Sequence, residues 1–122
     1  MYTIIKKKTH SELYIQYKNE VKICLVDTQD IPRIKKHSWC VWSKFNKWGT
    51  YYYIAAKIYQ SKKQTTVYLH QFLLGKKKNM VIDHINQKTL DNRTINLRFA
   101  TRRENLLNSD KITAKSLQRS KL

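Results

Sequence analysis

Acids are scarce in this chain: eight Asp and Glu stand against 25 Lys and Arg, a formal charge of +17. Such a surplus repels itself unless it works beside negative charge, and nucleic acid is the commonest partner of that kind. Cysteine is nearly absent as well. Cys24 and Cys40 form no C-x-x-C pair, so a disulfide or a structural zinc site is disfavoured and both read as free, buried thiols. No apolar run approaches the ~18 residues of a membrane span. The apolar start, Tyr2-Thr3-Ile4-Ile5 before Lys6-Lys7-Lys8, is too short for a signal peptide. Glycine occurs only twice, so hairpin turns here lack their strongest sequence signal. What remains is one domain over residues 1–122, with 41% hydrophobic residues, enough for a modest core and too many for disorder.

Residues 2–75 read as a basic, strand-rich platform. Residues 2–5 are β-prone; residues 12–18 alternate apolar with polar at Leu13, Ile15 and Tyr17, and residues 21–26 alternate likewise. Asn19-Glu20 suits a two-residue turn between them. Asp27 or Thr28 can cap a short helix through Lys36, with Pro32 early and Ile31 and Ile34 facing the core. Residues 39–44 and the aromatic run 50–59 return to strand, and Ser61-Lys62-Lys63-Gln64 turns the chain into residues 65–69. The expected arrangement is a single antiparallel sheet of four to six strands. Residues 70–74 form a short helix ended by Gly75. Tyr51-Tyr52-Tyr53, Trp39, Trp42 and Trp48 read as packing rather than as base-stacking platforms.

After Lys76-Lys77-Lys78, from Asn79 to Asn108, the composition shifts to Asn, Asp and Arg, and chemistry gathers between residues 81 and 108. Asp83 follows the apolar Met80-Val81-Ile82. A lone carboxylate weakens phosphate binding unless a divalent cation joins the two, as magnesium sites do with one or two protein carboxylates. His84 beside it has the side chain best suited to take a proton from water near neutral pH. Adjacent strand residues face opposite ways, so the backbone is expected to bend after Asp83 if both serve one site. A glycine-free polar loop, residues 86–94, can be tied by its own Asn and Asp side chains. Residues 96–100 read as a returning strand. Thr101 and Glu104 make a capping box for a helix over residues 102–108, which puts Asn105 and Asn108 on one face. Residues 109–122 read as a basic tail.

The ordered set Val81-Ile82-Asp83-His84-Ile85-Asn86, Leu90-Asp91-Asn92-Arg93, Asn96-Leu97-Arg98 and Glu104-Asn105 resembles the HNH nuclease motif. It is most similar to the phage and intron-encoded HNH homing endonucleases. Tyr68-Leu69-His70-Gln71-Phe72-Leu73-Leu74-Gly75 and residues 27–39 also resemble segments those proteins carry, so the likeness runs from about residue 21 to 108. It implies an α+β fold: an N-terminal antiparallel sheet with short helices, then a ββα-metal unit over residues 76–108. Asp83 and Asn105 then hold one Mg²⁺ or Mn²⁺ with a DNA phosphate, His84 is the general base, and Asn96 fixes the loop and orients His84. Two positions depart from the family, which commonly has Asn-Gly at Asn86-Gln87 and His-Arg at His70-Gln71.

The function so implied is metal-dependent hydrolysis of DNA phosphodiesters, by nicking or by homing-type cutting of limited specificity. The alternative is a basic DNA-binding protein on a decayed, non-catalytic HNH scaffold. His70 either approaches the phosphate or caps its helix. Arg93, Arg98, Arg102, Arg103, Lys76, Lys77 and Lys78 are the candidate DNA contacts. Expected partners are double-stranded DNA and no membrane or small-molecule cofactor, the protein being a monomer or homodimer in the cytoplasm of a bacterial host cell.

Overall fold

The computed structural model of the protein describes residues 2–47 and 49–107; Trp48, Asn108 and the basic tail lie outside them. The fold is mixed α/β, mostly strands with a few short helices. Strands β1 (Tyr2–Lys6), β2 (His10–Tyr17) and β3 (Glu20–Asp27) form one antiparallel meander. Strands β4 (Cys40–Asn46), β5 (Gly49–Gln60) and β6 (Lys63–Tyr68) form a second, and β7 (Val81–His84) and β8 (Leu97–Ala100) a two-stranded third. Helix α1 (Ile31–Ile34) links the first two sheets, α2 (Leu69–Leu74) precedes β7, and α3 (Arg102–Leu107) follows β8.

The single expected sheet is therefore two, and the reason is who occupies the edge of β3. Leu25 N donates to Leu90 O at 2.8 Å and Asn92 N donates to Leu25 O at 2.7 Å, so the loop before β8 takes the backbone groups that β4 would need. Alternation then sorts the faces. Leu13, Ile15, Cys24 and Val26 of the first sheet meet Val41, Ile54, Ala56 and Ile58 of the second, with Ile31, Ile34, Leu69 and Leu73 closing the core. Burying each such aliphatic side chain is worth about 1.5–3 kcal/mol. Trp39 is buried among them, its indole N–H donating to Ile34 O at 2.7 Å.

Several local expectations shift. The turn between β2 and β3 is Lys18-Asn19, closed by the Tyr17↔Glu20 pair, with Lys18 at φ 52°. The helix expected from Thr28 to Lys36 is a 3-10 turn (Thr28–Asp30) followed by one turn of α-helix. Neither candidate cap serves it, because both side chains are engaged elsewhere. Thr28 Oγ1 bonds Lys7 O and Ser11 Oγ, and the Asp27 carboxylate accepts from Thr94 N and Oγ1. Cys24 is buried as expected, but Cys40 is exposed at the start of β4. Trp42 is likewise partly exposed, its N–H donating to Cys40 Sγ.

Candidate active site

The C-terminal elements assemble around β7. Its four residues pair with β8 in the register Val81↔Ala100, Ile82↔Phe99, Asp83↔Arg98 and His84↔Leu97. The strand runs through His84, so the bend falls one residue later than expected: Gln87 N donates to His84 O at 2.8 Å, and Gln87 takes φ 66°. The left-handed conformation that glycine adopts most cheaply is thus kept here by a glutamine. Helix α3 packs on β7 and β8. Its capping box is formed in both directions, Thr101 N to Glu104 Oε1 at 2.9 Å and Glu104 N to Thr101 Oγ1 at 3.1 Å. Asn105 is its only residue that is not exposed.

Asp83 and His84 are both buried, at 4% and 7% exposure, which sets them apart from surface strand-end polar residues. Asp83 Oδ2 accepts from Arg98 Nε at 3.1 Å and lies 3.0 Å from Arg98 Nη2. His84 Nε2 lies 2.9 Å from Asn92 Oδ1. An amide oxygen only accepts, so Nε2 carries the proton, and in the neutral ring Nδ1 is the basic nitrogen. The amide itself is oriented from the core: Asn92 Nδ2 donates to Cys24 Sγ at 3.4 Å, a buried thiol whose pKa burial pushes up to about 12. Burial holds the His84 pKa below its ordinary value, against the Asn92 bond and the Asp83 and Asp91 charges, which raise it. A neutral imidazole is what a proton acceptor requires.

Asn96 sits in a 3-10 turn (Thr94–Asn96) rather than opening the strand, and it staples the loop. Its Oδ1 accepts from Asn86 N, its Nδ2 donates to Asp91 O, both at 2.9 Å, and its carbonyl accepts from Ile85 N at 2.8 Å. Asp91 braces the same loop. It takes Arg93 Nε at 2.8 Å, Arg93 Nη2 at 2.7 Å and Asn86 Nδ2 at 2.9 Å. Burial raises the Asp91 pKa, but the Arg93 and Asn86 bonds outweigh it and hold the carboxylate below its usual range.

His70 does not cap its helix. The N-cap position is Tyr68, and the His70 ring stacks on Tyr68 at 5.5 Å and meets the His84 ring edge-on at 5.1 Å. Burial first, then the His84 and Lys44 charges, lower its pKa to about 3. Of the candidate DNA contacts, Arg93 and Arg98 are committed to Asp91 and Asp83. Lys76, Lys77, Lys78, Arg102 and Arg103 are exposed.

Sequence reading missed Asn92 as the partner of His84, although Asp91-Asn92-Arg93 was already part of the motif. It also missed Cys24, which no local signal ties to the loop.

A metal ion has to be judged on the donors. Among the described residues no three His, Cys, Asp or Glu side chains gather where a metal could sit, unlike a closed zinc site. One carboxylate and one amide suit a hard divalent ion that keeps waters and phosphate oxygens as its other ligands. An ionised carboxylate offers about four acceptor sites, so the Arg98 bonds on Asp83 Oδ2 are compatible with a cation on the same group.

A buried acid–imidazole pair on a strand hairpin backed by a helix, in a strongly basic chain, fits the class of nucleases. Residues 75–107 match the family model for HNH endonuclease, so this segment is similar to that family. The match does not extend to residues 21–74. No curated protein and no solved structure matches the chain.

Proposed function

We propose that the chain is a metal-dependent HNH endonuclease that hydrolyses DNA phosphodiesters, nicking one strand or cutting with limited, homing-type specificity. The observation that carries this is the buried Asp83–His84 pair, with His84 held neutral and oriented by Asn92, inside the HNH-matched segment. Asp83 and Asn105 are the residues that hold one Mg²⁺ or Mn²⁺ in a ββα-metal unit. Bound there, the ion supplies positive charge to the phosphate and to the leaving 3′ oxygen. His84 Nδ1 takes the proton of the attacking water, while Asn92 holds the opposite ring nitrogen. Asn96 and Asp91 keep the loop that carries Asn92 in place. Lys76, Lys77, Lys78, Arg102 and Arg103 contact phosphates and so position double-stranded DNA without reading its sequence.

The test is conversion of supercoiled plasmid to open circle in Mg²⁺ or Mn²⁺. The reading requires that EDTA and His84→Ala each abolish it; equal nicking by wild type and His84→Ala would refute the catalytic assignment. One observation favours a second reading, a non-catalytic DNA-binding protein: the Arg98 guanidinium already neutralises Asp83. That reading requires salt-sensitive DNA binding that ignores EDTA, and no nicking at all.

A further inference from the structure

Between the second sheet and the β7–β8 hairpin lies a cleft of about 480 Å³, inside the range of small-ligand sites, roughly 300–1,000 Å³. Its walls combine two chemistries. Lys44, Lys76 and Lys77 bring positive charge, and among the described residues no acid lines the cleft. Tyr53, Tyr68 and Phe99 bring aromatic rings, with Met80 and Ile82 beside them. Two of the cations rest on rings: Lys44 Nζ is 4.9 Å from the Tyr68 centroid and 5.3 Å from that of Tyr53, and Lys77 Nζ is 5.8 Å from that of Phe99. His70 also lines the cleft, and its ring touches that of His84. The cleft is therefore one imidazole away from the candidate base.

A phosphate alone is satisfied by lysines on any open surface and has no use for apolar walls. Paired, stacked bases cannot enter a cleft of this size. A ligand with negative charge at one end and a flat π-face at the other is a nucleotide whose base has left its stack. Resting on the nuclease reading above, we infer that the cleft seats one unpaired nucleotide of the cleaved strand. Its phosphate is drawn by Lys44, Lys76 and Lys77, and its base lies against Phe99. The protein then prefers DNA that is locally unpaired beside the cut.

Fluorescence anisotropy in EDTA, where no cleavage occurs, tests this with two labelled duplexes differing only by one central bulged base. The bulged duplex is expected to bind wild type about tenfold tighter, the order of effect of one stacked base. Phe99→Leu is expected to bring the two affinities together, Phe99→Tyr to keep the preference, and Lys44→Gln to weaken bulged DNA more than paired DNA. Far-UV circular dichroism checks each variant's fold, and if Phe99→Leu fails to fold, Lys44→Gln decides the matter: equal weakening of bulged and paired DNA overturns the inference. Equal affinity of wild type for both duplexes overturns the inference, as does a preference that survives in folded Phe99→Leu. Plasmid nicking run in parallel separates the two claims. Nicking without the preference removes the seat and leaves the nuclease; the preference without nicking leaves a base-binding cleft and removes the nuclease.

Discussion

The first two sheets hold their shape by burying apolar side chains, whereas the β7–β8 hairpin and its loop hold theirs by hydrogen bonds between side chains and backbone. The main apolar cluster runs from Leu13 to Leu73, and the β7–β8 hairpin buries only Leu97 and Ala100 as apolar side chains among its described residues, outside that cluster. Conversely, of the seven polar residues buried among the described ones, five, Asp83, His84, Asp91, Asn92 and Asn96, lie in the hairpin and its loop. An apolar core tolerates changes of shape at a modest cost in order, while a satisfied polar network specifies one geometry and fails when a member is lost. The platform therefore sets stability, and the hairpin sets where a proton acceptor sits. The two regions meet through the Leu25–loop backbone bonds, the Asp27–Thr94 bonds, the Cys24–Asn92 contact and the His70–His84 ring contact, among others.

Substitutions on the two sides should separate these properties. The largest effect belongs to His84→Ala, which is expected to cut plasmid nicking by about 10²–10⁴-fold with the far-UV spectrum unchanged. Leu13→Ala on the platform is expected to cost about 2–5 kcal/mol in urea denaturation, while the fraction that stays folded nicks at the wild-type rate. A proportionate loss of rate in folded Leu13→Ala protein would break the division of labour. Asn96→Ala removes two side-chain bonds to the loop backbone and is expected to cost about 1–3 kcal/mol. Unlike Leu13→Ala, it is expected to slow nicking in the folded state as well.

A separate effect is a pH dependence at the seam. Folded His70 stays neutral down to about pH 3, against an ordinary value of 6.5. Between those values the unfolded chain binds more protons than the folded one, so stability falls as pH is lowered from 6.5 towards 3. His70→Phe is expected to flatten that slope in urea titrations at successive pH values. An unchanged slope would mean that His70 is not held neutral.

Legibility followed the range of the interactions. Alternation at Leu13, Ile15 and Tyr17, the Gly75 helix end and the Thr101–Glu104 box are local, and the expected elements stand where short-range chemistry places them. The Asp83–His84 pair was legible because its residue types and spacing are themselves the signal. The division into two sheets was not, since it depends on residues 90–92 reaching back to Leu25. Asn92 is eight residues from His84, and Cys24 is 68 from Asn92; only the folded chain brings them into one line. His70 illustrates the same point. Its position near a helix start suggested a cap, but burial against Tyr68 and His84 decides its role.

The decisive measurement is anomalous diffraction from crystals of the protein with DNA and Mn²⁺. One manganese peak is expected within coordination distance of both the Asp83 carboxylate and the Asn105 amide oxygen, with His84 Nδ1 turned to the bound phosphate. A peak on other residues, or an Asp83 still paired with Arg98 and with no manganese beside it while the DNA is in place, would contradict the account.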